Sequence, residues 1–276
     1  MGEEQGQGKK IVVVSASGGV GKTAVMVNLA AQLAQRNNSV TVVDADLSFG
    51  DTALALDLQP DDTIKEAAER KDIDNIQAYL MKHTSSVKLL PAPLRPEHAE
   101  LISPDFLEAA LNKISHGSDI TLVDTQTGLT ELNLRLLEAA DQILVIGTPQ
   151  MAVLKNTKLL LETLDLLGMK EKALLVINKF ISPTAIRAEE ISDLLGVETP
   201  VYLPRDDKQM DHSLDQGQPL VLNSPKLAFS AEASKLAEII GFDTGQQQIK
   251  DKGRGILGRI SLKGMKRRRM KNESIS

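Results

Sequence analysis

The chain has 276 residues, of which 42% are hydrophobic and 25% charged, so it is long enough to bury a substantial core as one large α/β domain, which we favour, or two small ones. It has no cysteine, which excludes a disulfide framework and thiolate metal sites and suits the cytoplasm. The N-terminus lacks the basic and apolar regions of a signal peptide, and no apolar run approaches the ~18 residues of a membrane span, so we expect neither secretion nor a transmembrane helix.

The net charge of −5 conceals two parts of opposite sign. Residues 250–276 carry ten Lys or Arg side chains against two acidic ones, whereas residues 1–249 carry 22 basic and 35 acidic side chains. An acidic body with a basic end does not bind nucleic acid over its whole surface. We therefore expect any contact with a polyanion to involve the end of the chain.

Short apolar, β-branched runs recur along the chain and predict buried strands. They lie at residues 11–14, 40–43, 87–90, 120–123, 143–146, 174–177 and 201–203. Segments with helical spacing lie at residues 24–35, 106–114, 133–140, 153–167, 185–195 and 230–240. Strands that are apolar throughout and alternate with helices predict an α/β fold with a doubly wound, mostly parallel sheet, helices on both faces and right-handed crossovers.

The composition also predicts where the compact part of the chain begins and ends. We expect residues 1–8 to form a flexible N-terminus and residues 9–243 a single domain. Residues 244–276 begin with Thr-Gly-Gln-Gln-Gln, which predicts a linker, and continue as a basic tail.

The first predicted strand is followed directly by SASGGVGKT, residues 15–23, and then by a helical pattern. Glycines in such a turn let backbone N–H groups point inward, and the N-terminus of the helix adds partial positive charge, so the segment predicts a phosphate cradle. Lys22 is placed to reach the β- and γ-phosphates of a nucleotide, and the Thr23 hydroxyl to ligate Mg²⁺. A glycine-rich strand-to-helix turn without a ligand is the alternative.

Carboxylates follow two of the other predicted strands. Asp44 and Asp46 end the strand at 40–43, and Asp124 ends the strand at 120–123. An isolated Asp at a strand end is more often a solvated turn residue. The ligand of an open parallel sheet lies beyond the carboxyl ends of the strands. Three aspartates at such strand ends, in a chain that also carries a GKT sequence, therefore favour roles in binding Mg²⁺ and an attacking water.

SGGVGKT, followed by VVDADLSFGD and much later by LVDTQTG, resembles the motifs of the deviant Walker A family of MinD and ParA ATPases. Residues 44–58, 89–111 and 139–160 most resemble its CpaE/TadZ branch, the pilus-assembly localisation ATPases. The resemblance implies a P-loop NTPase fold, ATP and Mg²⁺ as cofactors, slow ATP hydrolysis, an ATP-dependent homodimer, and positioning of pilus or secretion machinery. A non-hydrolysing nucleotide-binding scaffold and a MinD-like regulator of cell division or flagellar number are the alternatives.

The same resemblance implies roles for individual residues. It implies that the loop and the start of the following helix bind the phosphates of the nucleotide. These residues are Gly18, Gly19, Val20, Gly21, Lys22, Thr23 and Ala24. It implies that Thr23, Asp44 and Asp124 bind Mg²⁺. It also implies that Lys22, Asp124 and Asp46 are catalytic, with Asp46 orienting the attacking water. Contacts with the base fall to Asn178, Pro204 and Asp206, although Asn178 is also a plausible turn residue at the end of a strand.

Two positions depart from the family pattern. Ser17 stands where the family has a lysine that crosses the dimer interface to the partner's nucleotide. Loss of such an arginine-finger-like cation typically costs about 10³ to 10⁵ in turnover, so we expect slow hydrolysis unless Arg205 or another cation substitutes. The family's DTPPG becomes DTQTG at residues 124–128, which replaces two prolines by flexible polar residues.

The basic tail, residues 253–271, interleaves apolar side chains with cations and loosely resembles the membrane-binding C-terminal helix of MinD proteins. Each Lys or Arg near an anionic leaflet contributes about 1 kcal/mol, and dimerisation doubles a weak anchor. We therefore expect a cytoplasmic protein with peripheral membrane association. Nucleic-acid binding by this tail, and a purely solubilising role, are the less favoured alternatives.

Overall fold

The structure is a computed structural model that describes residues 7–181 and 186–254, with side chains as far as residue 241. These residues divide into two compact units between Ala237 and Glu238. Most of the predicted flexible N-terminus and all but the first two residues of the basic tail lie outside the described residues. Among the helices of the described ranges, none is both long enough and apolar enough to cross a membrane.

A sheet of eight strands forms the centre of the first unit. The strands are β1 (Lys9–Val14), β2 (Val40–Ala45), β3 (Met81–Lys82), β4 (Lys88–Leu90), β5 (Ile120–Thr125), β6 (Gln142–Gly147), β7 (Ala173–Phe180) and β8 (Val201–Pro204). Their order is β3-β4-β2-β5-β1-β6-β7-β8, and every neighbouring pair is parallel except β3 and β4. All seven predicted strands are confirmed, whereas β3 was not predicted because two residues carry no hydrophobic pattern.

Helices connect the strands and cover the sheet, which confirms the predicted doubly wound α/β fold. They are α1 (Lys22–Gln35), α2 (Thr52–Ala55), α3 (Ile64–Glu69), α4 (Pro104–Ser115), α5 (Glu131–Glu138), α6 (Met151–Leu166), α7 (Ala188–Leu195), α8 (Asp207–Asp215), α9 (Leu220–Asn223) and α10 (Ala228–Arg254). Side-chain caps explain two of the starts, because Ser103 accepts a hydrogen bond from the N–H of Phe106 and Thr130 accepts one from Asn133.

The end of the last helix differs from the prediction. The sequence pattern ends this helix near residue 240 and predicts a linker from residue 244, whereas α10 continues to Arg254. The predicted linker segment contains no proline between residues 244 and 254, and each of its two glycines, Gly245 and Gly253, costs a helix at most about 1 kcal/mol. Helix α10 therefore extends into the predicted linker, and the division of the chain at residue 244 stays a prediction.

The strand that carries the glycine-rich loop lies near the middle of the sheet. Val12 of β1 pairs with Val123 of β5, and Val14 pairs with Val145 of β6. Helix α1, which follows the loop, is buried along most of its length, and its Asn28 accepts a hydrogen bond from the N–H of Val221 (3.0 Å). The loop between β1 and α1 is thus held at both ends by buried elements.

Candidate nucleotide-binding site

The loop of residues 15–21 has the backbone conformation of a phosphate cradle. Gly19 has φ of +72° and Gly21 has φ of +83°, both in the left-handed region that favours glycine. A Cβ atom at Gly21 would lie 2.6 Å from Asn178 Nδ2, so a larger residue there would displace the Asn178 side chain. A Cβ at Gly18 or Gly19 would meet nothing within 4 Å, so this side of the loop is open enough to receive a phosphate.

One carboxylate organises the two residues predicted to contact phosphate and metal. Lys22 Nζ forms an ion pair with Asp124 Oδ1, and Thr23 Oγ1 donates a hydrogen bond to Asp124 Oδ2 at 2.7 Å. Both charged groups are buried, with exposures of 9% for Lys22 and 1% for Asp124. Three predicted site residues from β5 and α1 therefore meet, although a hundred residues separate the two segments in the chain.

A second carboxylate lies beside the first. Asp44 and Asp124 are register partners on the neighbouring strands β2 and β5, and the Asp44 carboxylate accepts hydrogen bonds from the N–H groups of Asp46 (3.2 Å) and Thr52 (3.1 Å). Burial raises the pKa of Asp44 to about 8, and the negative charge of Asp124 adds to this effect. Burial also raises the pKa of Asp124, against the opposing influence of Lys22. Two neighbouring buried carboxylates, of which only Asp124 pairs with the Lys22 ammonium group, provide a suitable environment for a cation.

The donor set fits Mg²⁺ better than a metal that requires a complete protein cage. In the part of the chain that the structure describes, no cluster of three His, Cys, Asp or Glu side chains is arranged to hold a metal ion. Mg²⁺ keeps several waters and usually takes only one or two carboxylates together with substrate phosphates. The oxygens of Thr23, Asp44 and Asp124 match that requirement.

Asp46 lies at a cleft of about 530 Å³, which is within the usual range of cofactor sites. Its Oδ1 accepts a hydrogen bond from the N–H of Phe49 at 3.2 Å. The cleft is lined by Ser15, Ser17, the predicted phosphate-binding residues, Asp46, Phe49, Asp51, Leu54, Ala55, Thr127, Leu214 and Asp215. The predicted water-orienting carboxylate and the predicted cradle therefore face the same space.

The residues predicted to contact the base do not line this cleft. Asn178 Nδ2 donates instead to the carbonyl of Val20 at 2.9 Å. Pro204 is the register partner of Phe180, and Asp206 begins α8 by accepting a hydrogen bond from the N–H of Gln209 at 3.4 Å. A role for Asn178, Pro204 and Asp206 in base binding stays a prediction.

The serine that replaces the family lysine has a partner of its own. Ser17 Oγ accepts a hydrogen bond from Asn156 Nδ2 of α6 at 3.1 Å, which connects the glycine-rich loop to that helix. Arg205, the cation considered as a substitute, donates to Asp207 Oδ2 at 2.6 Å, at the start of α8. Position 17 therefore contributes a neutral hydroxyl to the site.

Sequence reasoning missed several residues of the cleft. Phe49 and Asp51 belong to the VVDADLSFGD segment, so their position in the motif was an available signal. Leu214 and Asp215 lie at the end of α8, a mostly polar helix that the hydrophobic pattern does not predict. They carry no recognisable signal in the sequence.

A family model for an AAA domain matches residues 8–177. Over 241 residues the chain is 27% identical to the septum site-determining protein MinD of Synechocystis, with 82% of this chain and 88% of that protein covered. The chain belongs to this AAA-domain family, among its MinD/ParA ATPases. Its resemblance to the CpaE/TadZ branch stays a prediction.

Solved structures of MinD/ParA proteins have the same fold. The cell division ATPase MinD of Pyrococcus furiosus superposes with a TM-score of 0.76 at 26% identity, with 85% of this chain and 98% of that chain covered. MinD of Pyrococcus horikoshii, solved in complex with Mg-ADP, superposes with a TM-score of 0.75 at 23% identity, with 84% and 95% covered.

Proposed function

We propose that this MinD/ParA protein binds ATP with Mg²⁺, hydrolyses it slowly, and acts as a nucleotide-gated dimeric switch that positions pilus or secretion machinery at the membrane. The observation that carries the proposal is the contact of Lys22 and Thr23 with Asp124 beneath an open glycine cradle. The Mg-ADP complex of the Pyrococcus horikoshii relative supports the choice of ligand.

In the proposed reaction the chain positions phosphate and water and does little covalent chemistry, as is general for phosphoryl transfer. The N–H groups of residues 18–24 and the Lys22 ammonium would hold the β- and γ-phosphates. Bound Mg²⁺ would neutralise the charge that develops on these phosphates. Thr23, Asp44 and Asp124 would hold the metal, and Asp46 would orient the attacking water.

The rate of hydrolysis is tested by removing the proposed water-orienting group. Single-turnover hydrolysis of ATP by Asp46→Ala is expected to be about 10² to 10⁴ times slower than that of the wild type, as for other positioned acid–base groups. The neutral hydroxyl of Ser17 favours a second candidate function, a non-hydrolysing nucleotide-binding scaffold. Equal rates for the wild type and Asp46→Ala would support the scaffold.

A substitution at position 17 also tests the expectation that ATP hydrolysis is slow. Ser17→Lys restores the family's cation at the cost of the hydrogen bond from Asn156. If the missing charge limits turnover, this variant hydrolyses ATP faster than the wild type in the dimeric state. An unchanged or lower turnover, with ATP affinity retained, would mean that another group already supplies the charge or that the chain does not hydrolyse ATP.

Exposed apolar side chains support dimerisation through the edge that carries the glycine-rich loop. Carboxyl ends of parallel strands share one edge of a sheet, and large exposed apolar residues follow β2, β4, β5, β6 and β7 there. They are Phe49, Leu54, Leu94, Leu129, Met151 and Ile181. A row of this kind is typical of a protein–protein interface.

The dimer is tested by size-exclusion chromatography with ATP, with ADP and without nucleotide. We expect ATP-specific dimerisation by the wild type, and a loss of the dimer in Phe49→Asp with nucleotide affinity measured in parallel. Leu166→Asp is the matched control, because Leu166 is 88% exposed and ends α6, the helix that returns towards the opposite edge of the sheet. A monomer in all three nucleotide states would contradict the switch.

The membrane role rests on the sequence of residues 253–271, nearly all of which lie outside the described residues. Sedimentation with anionic vesicles, with and without the last 26 residues and with ATP present, is expected to show binding only by the full chain. Equal partitioning of the two proteins would contradict a membrane anchor. Binding of the full chain to DNA and not to vesicles would favour the nucleic-acid alternative.

The identity of the positioned machinery is the part of the proposal with the least support. The septum site-determining relative MinD favours a competing role as a regulator of cell division. Pilin and secretion-ATPase genes beside the gene for this chain would support the pilus role. Division or flagellar genes in that position would support the regulator.

A further inference from the structure

Two consecutive side chains at the end of β7 contact the glycine-rich loop. Asn178 Nδ2 donates to the carbonyl of Val20 at 2.9 Å, and Lys179 Nζ donates to the carbonyl of Gly19 at 3.2 Å. Neighbouring residues of a regular strand point to opposite faces of the sheet, so one strand does not ordinarily present both to one loop.

The backbone at this point explains how both side chains reach the same loop. The register between β7 and β8 shifts between Ile177 and Phe180, and Lys179 has φ of +55°. An irregularity of this kind re-aims a side chain and is common beside active sites. Lysine in the left-handed region is strained, since it lacks both the freedom of glycine and the short polar side chain of asparagine. Such strain persists where surrounding contacts compensate for it.

The two hydrogen bonds fix the orientation of successive peptide groups in the cradle. A cradle works when its N–H groups face the phosphate, which requires the carbonyls to turn elsewhere. The carbonyls of Gly19 and Val20 accept from β7, and neither Asn178 nor Lys179 lines the cleft on the other side of the loop. The contacts therefore hold the carbonyls away from the cleft.

We propose that Lys179 is a positioning residue for phosphate binding, which fixes the Gly19 peptide and places a fixed positive charge beside a loop that carries Ser17 in place of lysine. The inference rests on the proposed ATP-binding function. The proposal gives the strained Lys179 a role in nucleotide affinity, in addition to its place at the end of β7.

Three substitutions at this position separate the side chain from the backbone. Lys179→Met removes the hydrogen-bond donor and the positive charge but keeps the length of the side chain. Lys179→Arg keeps the donor and the charge, and Lys179→Gly removes the side chain and relieves the backbone strain. The matched control is Lys158→Met on α6, where an exposed lysine makes no contact with the loop.

Affinity for fluorescent ATP and ADP analogues with Mg²⁺ is expected to fall about tenfold in Lys179→Met, which is the effect of one lost charged hydrogen bond. Lys179→Arg should stay within about twofold of the wild type, and Lys158→Met should be unchanged. Lys179→Gly should lose affinity like Lys179→Met while unfolding at the wild-type temperature or above it. A merely structural role predicts the opposite relation, in which affinity and unfolding temperature fall together.

The outcomes distinguish this inference from the proposed function. If the wild type binds ATP and ADP and Lys179→Met binds them equally well, the positioning role is wrong and the nucleotide site stands. A joint fall of affinity and unfolding temperature in Lys179→Gly also overturns the positioning role. If the wild type binds neither nucleotide, the proposed function fails and the inference fails with it.

Discussion

Gly21→Ala is expected to lower the free energy of unfolding by about 2 to 3 kcal/mol in the absence of nucleotide. An alanine at φ of +83° costs about 1 kcal/mol relative to glycine. The added Cβ would lie 2.6 Å from Asn178 Nδ2, so that side chain must move and give up its hydrogen bond to Val20. Loss of the bond and a partly unsatisfied carbonyl add roughly 1 to 2 kcal/mol.

Urea and thermal unfolding measure this loss, which corresponds to a fall in Tm of roughly 5 to 10 °C for a chain of this size. Gly19→Ala is the matched control, because Gly19 has φ of +72° but its Cβ would meet nothing within 4 Å. Its cost should be the backbone part alone, about 1 kcal/mol. In an Asn178→Ala background the extra cost of Gly21→Ala should disappear. Equal losses for the two glycine variants, or an undiminished loss in that background, would refute the steric argument.

Two further predictions concern residues outside the loop. The Nε2–H of His83 donates a hydrogen bond to the carbonyl of Gly217, and burial lowers the pKa of this histidine in the folded chain. Below about pH 6.5 the unfolded chain therefore binds more protons at this position than the folded chain does, so the free energy of unfolding decreases as the pH falls through that value. The stability difference between the wild type and His83→Gln should therefore shrink between pH 7.5 and 5.5 in urea unfolding, and a constant difference would contradict this. Gly50→Ala places a Cβ 2.5 Å from Asp44 Oδ2 and from Ala92 Cβ, so we expect a loss of about 2 kcal/mol in stability and weaker Mg²⁺-dependent ATP binding. Titration with Mg²⁺ tests the second effect, which is absent if Asp44 does not serve the metal.

The sheet was predictable because its long strands are apolar on both faces. Every residue of β2 and β5 is buried, and before its Asp each strand reads as a β-branched and apolar run in which the only polar residue is a threonine, Thr41 or Thr121. The four-residue helices α2 and α9 are too short to show a period. Helix α8 buries only Ser213, so its hydrophobic pattern is nearly absent.

The candidate site was predictable to the extent that it depends on spacing along the chain. GKT after a strand and an Asp at the end of another strand suffice to bring Lys22 close to Asp124, because parallel strands end at one edge. The contacts of Asn178 and Lys179 with the loop were not predictable, since they depend on a register shift between β7 and β8 and on a left-handed backbone at a lysine. No rule of composition or periodicity indicates a left-handed lysine.

The place of β1 in the sheet has a consequence for synthesis of the chain on the ribosome. The strand is made first, yet its partners on either side are β5 and β6, and Lys9 pairs with Ile120. At about 5 to 20 residues per second, Ile120 is polymerised roughly 6 to 22 s after Lys9. Throughout this interval β1 has neither of its sheet partners, while α1, β2, α2, α3, β3, β4 and α4 emerge. The strand that carries the glycine-rich loop is therefore enclosed on both sides only after β6 has been made, while β7 and β8 of the same sheet are still to come.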